Sequence, residues 1–334
     1  MLDLKFIREN VDLVSANSAS RLSKADIPAL LEADKRLRAL ITELEGLRAE
    51  RNQTSQQKPS AEEIKKMKEV GTKISQLEEQ ERELAEEVKL LLAEVPNLTH
   101  PDVLVSANED ENPILETHGK IPQFKFTPQD HVTLGEALDI IDFDRGTKVS
   151  GAKFYYLKNE LALLSQALNM YVLELVRKRG YTFMITPDMV KQEISEGIGY
   201  SPRGDSSQIY KIEGQDLALI ATAEITLGGY HANEVIPAEV LPLKYVGLSH
   251  CFRTEAGAYS KFSKGIFRVH QFEKVEMFIY CLPEQAEELH KELVSIEKEI
   301  YTNLGIPFRV IDHCTADLGG PSYRTMDLEA WMPG

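Results

Sequence analysis

The densest chemistry in this sequence lies between Cys251 and Glu276, in the run CFRTEAGAYSKFSKGIFRVHQFEKVE. Both ends of the run are β-forming, and a Gly-, Ser- and Lys-containing stretch from about Ala256 to Gly265 separates them, which predicts a hairpin. Successive side chains on a strand point to opposite faces. Arg253 and Glu255 therefore share one face of the first strand, and Arg268, His270, Phe272, Lys274 and Glu276 share one face of the second. The other face carries Val269, Val275, Met277 and Ile279 and suits a core. An arginine fork holds phosphate or carboxylate through paired hydrogen bonds, an aromatic ring stacks on a purine, and a carboxylate meets an ammonium group. The polar face is thus equipped to hold a zwitterion beside a polyphosphate. A solvated strand face with cross-strand ion pairs has the same composition, so the face alone leaves both readings open.

A second cluster is Ile220-Ala-Thr-Ala-Glu224, read as the end of an apolar strand with Thr222 and Glu224 alternating onto one face. A glutamate there needs a partner, because an unpaired buried charge is costly. A ligand ammonium or a structural arginine would both serve.

The elements that must position these groups follow from composition and period. Residues 29 to 95 are nearly free of Gly and Pro and rich in Leu, Glu, Lys and Arg, which is long-helix composition. Apolar residues step by three and four through Leu30, Ala33, Leu37, Leu40, Leu44 and Leu47, and again from Met67 through Val70, Ile74, Leu77, Leu84, Val88 and Leu91 to Val95, the seam of a coiled coil. Between the seams lie polar residues, Pro59, and a Ser60-x-x-Glu63 capping box, so the chain is expected to turn back on itself. The product is an antiparallel helical hairpin with arms roughly 40 Å long at 1.5 Å per residue. Its turn is basic: over residues 48 to 73 seven bases (Arg48, Arg51, Lys58, Lys65, Lys66, Lys68, Lys73) face four acids, whereas residues 78 to 94 hold seven acids and two bases. A coiled coil used only for protein association would look the same. Pro96 and Pro101 end the second helix. Beyond them a helix over about 157 to 178 alternates with β-rich runs at 181–185, 217–221, 245–253 and 267–280, without regular βα alternation and without a P-loop or G-x-G-x-x-G. An α+β domain with an antiparallel sheet is therefore expected.

Bulk properties narrow the function classes. At 334 residues and 43% hydrophobic the chain can build two domains with real cores. The net charge of −15 excludes a non-specific nucleic-acid binder, so any RNA contact must use a local patch. No segment reads as a signal peptide or membrane span. Cys251, Cys281 and Cys314 lack CxxC spacing, which suggests neither disulfides nor a zinc cluster, and a cytoplasmic protein is expected.

The hairpin resembles motif 2 of class II aminoacyl-tRNA synthetases, and FRTEAG (252–257) followed by FRVHQFEKVE (267–276) is close to the wording of seryl-tRNA synthetases. The triplet TAE (222–224) is similar to that family's serine-binding triplet. MLDLKFIREN at the start, HVTLGE (131–136), SGAKFYYL (150–157) and DLEAWMPG (327–334) fit the same family in order, and 180–187 resembles motif 1, which builds the dimer interface in this class.

The resemblance implies an N-terminal tRNA-binding domain over 1–105, with its arm at about 29–95, and a class II catalytic domain over 106–334. It implies that Arg253 holds the ATP α-phosphate and the seryl carboxylate, that Glu255 reads the adenine amino group, and that Thr254 and Val269 supply neighbouring backbone contacts. Phe272 would stack on the adenine and Arg268 would lie by the phosphates, with Arg253, Arg268 and Glu276 as the catalytic set. Thr222, Ala223, Glu224 and Glu276 would surround the serine. The basic arm residues Arg48, Arg51, Lys58, Lys65, Lys66 and Lys68 would grip the long variable arm of tRNA(Ser), with tRNA(Sec) as a second substrate. ATP and Mg²⁺, L-serine and a homodimeric partner complete the expectation, with no protein-held metal and no membrane. The family continues past DLE-x-W-x-PG to motif 3, so a chain ending at Gly334 is expected to be a fragment. The alternatives are a synthetase-like paralogue that binds tRNA or amino acid without charging, and a coiled-coil scaffold.

Overall fold

The structure, a computed structural model, describes residues 2–55, 61–199, 209–255 and 264–333. These form two compact units, Met1–Pro113 with Asp312–Thr325, and Ile114–Ile311 with Met326–Gly334.

The first unit opens with α1 (Leu4–Glu9) and α2 (Val11–Ser20), followed by the long helices α3 (Ile27–Ser55) and α4 (Ala61–Ala93). The Asp3 carboxylate caps α1 by accepting from the Lys5 and Phe6 amides. The predicted seams close on each other: Leu40 and Leu44 pack with Val70, Ile74 and Leu77 midway along the arm. At the arm's base Ile27, Leu30 and Ala33 share a core with Val88 and Val95 and with Ile7 and Val14 of α1 and α2. That shared core matters, because a two-helix arm has little other apolar area to bury. The Ser60 capping box and the turn it would start lie outside the described residues.

Arg21 is buried in this unit, and its guanidinium donates to the carbonyls of Asn97, Leu318, Gly319 and Ser322. A buried cation costs less when its donors are satisfied, and here three of the four carbonyls come from Leu318, Gly319 and Ser322, at the far end of the sequence. The sequence reading sets a boundary at residue 105 and runs the second domain unbroken to 334. The compact units instead divide after 113, and 312–325 rejoins the first, stitched by Asn97 N–H to Gly320 O and His100 N–H to Tyr323 O.

In chain order the second unit contains β1 (Ile114–His118), α5 (His131–Ala137), β2 (Ile141–Asp142), α6 (Phe143–Ser150), β3 (Tyr156–Leu157), α7 (Asn159–Arg177), β4 (Thr182–Ile185), β5 (Met189–Lys191), α8 (Gln192–Gly197), β6 (Leu217–Leu219), α9 (Ala223–Gly228), β7 (Leu243–Phe252), β8 (Gln271–Tyr280), α10 (Ala286–Asn303), β9 (Phe308–Asp312, ending at the unit boundary) and β10 (Met326–Ala330). Its centre is the sheet β4-β7-β8. The hairpin β7–β8 is antiparallel over ten pairs, from Leu243↔Tyr280 to Phe252↔Gln271. β4 runs parallel to β7, which departs from the all-antiparallel expectation. The chain between them, with α8 and α9, is long enough to return β7 to the same end.

The alternation predicted for β8 sorts its two faces. Val275, Met277 and Ile279 pack with Leu173 and Val176 of α7 and Ile296 of α10. Phe278 and Tyr280 pack on the other side, with Ala223 and Leu227 of α9. Gly247 of β7 lies opposite Glu276, and a Cβ there would come within 3.1 Å of Leu227 and Thr186. Glycine thus lets α9 settle against the sheet.

Two local expectations change. The second hairpin strand begins at Gln271, not Phe267, so Arg268, Val269 and His270 lie in the bend before it. Thr222 and Glu224 are not on a strand: β6 ends at Leu219, and Thr222 caps α9 with its hydroxyl accepting from Glu224 N–H. The Thr222 cap starts the helix there, and the helix-forming run that follows carries it on. The loop from 256 to 263 lies outside the described residues.

Candidate active site

The α9-facing side of the hairpin brings two of the sequence clusters together. The Thr222 hydroxyl, 2% exposed, accepts from Glu224 N–H at 3.2 Å and from Lys274 Nζ at 2.6 Å, and donates to Glu276 Oε2 at 3.0 Å. Lys274 and Glu276 also form an ion pair. Burial, then the charge of Glu276, pushes the Glu224 carboxyl above the usual range, with Lys274 opposing. A ligand ammonium placed near Glu224 would relieve that strain.

Arg253 follows directly on β7. Its amide donates to His270 O at 3.0 Å, its Nε donates to Ala221 O at 3.3 Å, and its guanidinium stands 5.2 Å from the Phe272 ring centroid. The cation is thus anchored at one nitrogen and backed by an aromatic face. His270 Nδ1 lies 2.9 Å from both Arg253 O and Tyr210 Oη. A carbonyl only accepts, so Nδ1 carries the proton and imidazole braces the Arg253 backbone. Glu255 adopts a φ of 48° and accepts from Arg268 Nη1 at 3.1 Å. Val269, 4% exposed, is buried beside them.

The structure therefore joins Thr222, Glu224 and Glu276 in one cluster, Arg253 with Phe272 in a second, and Arg268 with Glu255 in a third. Thr254 lies between Arg253 and Glu255 and Ala223 is buried in α9. Lys274 was visible in the period-2 pattern between Phe272 and Glu276, yet composition could not show that its ammonium would bridge Thr222 and Glu276. Tyr210 carried no sequence signal at all, because only the tertiary fold sets it against His270.

The side of the hairpin turned toward α7 is different in kind. A cleft of about 670 Å³ there is lined by Phe154, Tyr155, Leu164, His250 and Glu273 among others, and reaches the predicted set only at Phe272. Glu273 accepts from Asn169 at 2.9 Å and from Ser165 and Gln166 at 3.3 Å, so its carboxylate is occupied.

On the arm, the basic candidates divide. Arg48 pairs with Glu78 at 2.9 Å and Lys66 with Glu50 at 2.6 Å, which raises the pKa of both bases through hydrogen bonds to those carboxylates. Arg51, Lys65 and Lys68 have no ion pair among the described residues. Lys58 lies outside the described residues. Among the described residues no group of three or more His, Cys, Asp or Glu is arranged to hold a metal ion, so no residue is assigned to Mg²⁺. No described helix is long and apolar enough to cross a membrane.

Comparison with known proteins agrees across both units. Residues 1–99 match the family described as Seryl-tRNA synthetase N-terminal domain, and residues 209–334 match tRNA synthetase class II core domain (G, H, P, S and T). The serine–tRNA ligase of Treponema denticola is 53% identical, aligning with 100% of this chain and 81% of its own length. That of Rubrobacter xylanophilus is 47% identical, with 100% and 80% covered. Among solved structures, seryl-tRNA synthetase from Pyrococcus horikoshii complexed with ATP superposes with a TM-score of 0.87 at 38% identity, covering 100% of this chain and 81% of that one. The cytoplasmic serine-tRNA ligase of Naegleria fowleri in complex with AMP gives 0.81 at 30% identity, covering 100% and 79%. With the N-terminal and core families both matched and full-length alignment to relatives of this identity, the chain belongs to the seryl-tRNA synthetase family.

Proposed function

We propose that this chain carries the machinery that joins L-serine to the 3′ end of tRNA(Ser) through a seryl-adenylate, with tRNA(Sec) as a second substrate. The observation that supports it best is the joining, on one face of one hairpin, of the Thr222–Glu276–Lys274 cluster with Arg253 backed by Phe272. The serine carboxylate attacks the α-phosphorus of ATP and pyrophosphate leaves; a terminal ribose hydroxyl of the tRNA then attacks the acyl carbon and AMP leaves. No enzyme nucleophile takes part, so rate comes from positioning and charge neutralisation.

In this reading Arg253 spans the α-phosphate and the serine carboxylate, and Phe272, now backed by that guanidinium, stacks on adenine. Glu255 reads the adenine amino group while Arg268, held by Glu255, stands by the phosphates; Thr254 and Val269 offer backbone contacts. Glu224 and Glu276 meet the ammonium and hydroxyl of serine, with Thr222 and Ala223 shaping the pocket. Alanine is refused because it leaves those polar groups unpaired, whereas threonine is refused by shape. Mg²⁺, bound together with ATP, would add to the neutralisation of the phosphate charge that Arg253 and Arg268 supply. The first unit, through its arm, grips the tRNA variable arm and the second performs the chemistry in the cytoplasm.

A homodimer is part of the reading. α7 exposes Leu163 at 72% and Met170 at 54%, and neighbouring β4 exposes Ile185 at 79%, an apolar surface consistent with burial against a second copy. The deciding experiment is exchange of labelled pyrophosphate into ATP. Exchange stimulated by L-serine and not by L-alanine is expected; tRNA binding with no such exchange would favour the non-charging paralogue.

A further inference from the structure

The serine side of the site depends on a six-residue helix that could not hold its shape alone. Isolated helices shorter than about 12 residues are marginal in water, and α9 spans only Ala223–Gly228. Its N-terminal end is fixed to β8 through Thr222, whose hydroxyl meets Glu276 and Lys274. Its other end is fixed to the same strand. The Tyr280 hydroxyl lies 2.6 Å from Leu227 O and 2.7 Å from Gly228 O, sharing its proton between two carbonyls of the last turn, of which Leu227 O also accepts from Tyr230 N–H at 3.2 Å. Residues 276 and 280 share one face of β8, about 13 Å apart at 3.3 Å per residue, and α9 is about 9 Å long at 1.5 Å per residue. α9 is thus tied to β8 at both ends.

The Tyr280 ring is itself held. His231 packs edge-on at 5.0 Å and Phe278 at 5.1 Å. His231 is fixed between Glu234, 2.7 Å from Nδ1, and the Tyr245 hydroxyl, 2.9 Å from Nε2. Burial keeps the Tyr280 phenol protonated and hence a donor throughout the ordinary pH range.

We propose that Tyr280 is a positioning residue for the amino-acid half of the site: by holding the C-terminal carbonyls of α9, it sets where Thr222 and Glu224 stand relative to Glu276. The proposal rests on the serine-site reading above. Tyr280 is far from Arg253 and Phe272 along β8, so its loss should be felt by serine and not by ATP.

The test is Tyr280→Phe, which removes one oxygen and keeps the ring. The expected result is a KM for serine raised by about three- to tenfold, the factor one net hydrogen bond supplies, with KM for ATP unchanged. Amide hydrogen exchange should quicken over residues 222–228. An unchanged KM for serine, or equal rises for serine and ATP, overturns the proposal, the latter because it marks general loosening. Should Tyr280→Phe melt below the assay temperature, Tyr245→Phe releases His231 from the ring and must show the same split in smaller degree. Absence of serine-dependent exchange in the unsubstituted chain overturns the functional reading and this role with it, and is recognisable before any variant is compared.

Discussion

Arg253 is the side chain on which most of the proposed chemistry converges. No carboxylate pairs with it among the described residues; one nitrogen is spent on Ala221 O and the Phe272 ring backs the rest. A guanidinium held this way is oriented without being neutralised, which suits a group meant for phosphate and carboxylate. Arg253→Ala is expected to lower serine-dependent exchange at least about a hundredfold, the scale of losing one preorganised charge-stabilising group. Arg253→Lys, which keeps the charge but loses the fork, should fall between; a lysine variant as active as the parent would show that bidentate geometry is not needed. Glu297 supplies a prediction about stability. Burial, then Asp327, then Glu276, pushes its carboxyl from 4.5 up to about 7. Between those values the folded chain keeps a proton that the unfolded chain has released, so stability must fall as pH rises through the window, by about 3 kcal/mol for this one group. Glu297→Gln should remove that fall, giving a higher urea midpoint than the parent at pH 8 and an equal one at pH 4. Parallel pH profiles for the two proteins would contradict the assignment.

At the scale of the element, the helical arm shows how a basic run is shared between structure and function. The pairs Arg48–Glu78, Lys66–Glu50 and Lys73–Glu43 cross from α3 to α4 and hold the two helices in register. Exposed pairs of this kind contribute little stability, but they reduce the charge left for RNA. Arg51, Lys65 and Lys68 have no carboxylate partner among the described residues. Replacing these three with glutamine is expected to weaken tRNA binding and flatten the plot of log Kd against log salt by about two to three units, since each phosphate contact contributes somewhat less than one. Serine-dependent exchange should not change. A larger loss on replacing Arg48 and Lys66 instead would place the RNA on the paired residues.

For the whole molecule, the division into units says how the arm should be removed. Residues 27–33 and 88–95 share a core with α1 and α2, so excising 30–95 would uncover Ile7 and Val14. Excising 40–84 and bridging the ends with a short glycine-serine linker leaves that core closed. The shortened chain is expected to keep serine-dependent exchange and lose tRNA charging, measured with the same preparation. Loss of exchange would mean that the arm supports the second unit, against the proposed division of labour. The net charge of −15 fits this separation, since any RNA contact must then use a local basic patch such as the one on the arm.

The arm, the β7–β8 hairpin and the grouping of Phe272, Lys274 and Glu276 were legible in the sequence because each is a local periodicity. A seam stepping by three and four, or alternation by two, determines which side chains share a face before any partner is known. Ala223 and Glu224, the first residues of α9, look like the end of the preceding strand because the five residues Ile-Ala-Thr-Ala-Glu fit either period, and only the cap at Thr222 and the packing on β8 choose between them. The return of 312–325 to the first unit, the bracing of Arg253 by His270 and Tyr210, and the hold of Tyr280 on Leu227 and Gly228 carry no local signature. They are hydrogen bonds between residues tens to hundreds of positions apart, and such contacts exist only once burial has removed the water that would otherwise satisfy those groups.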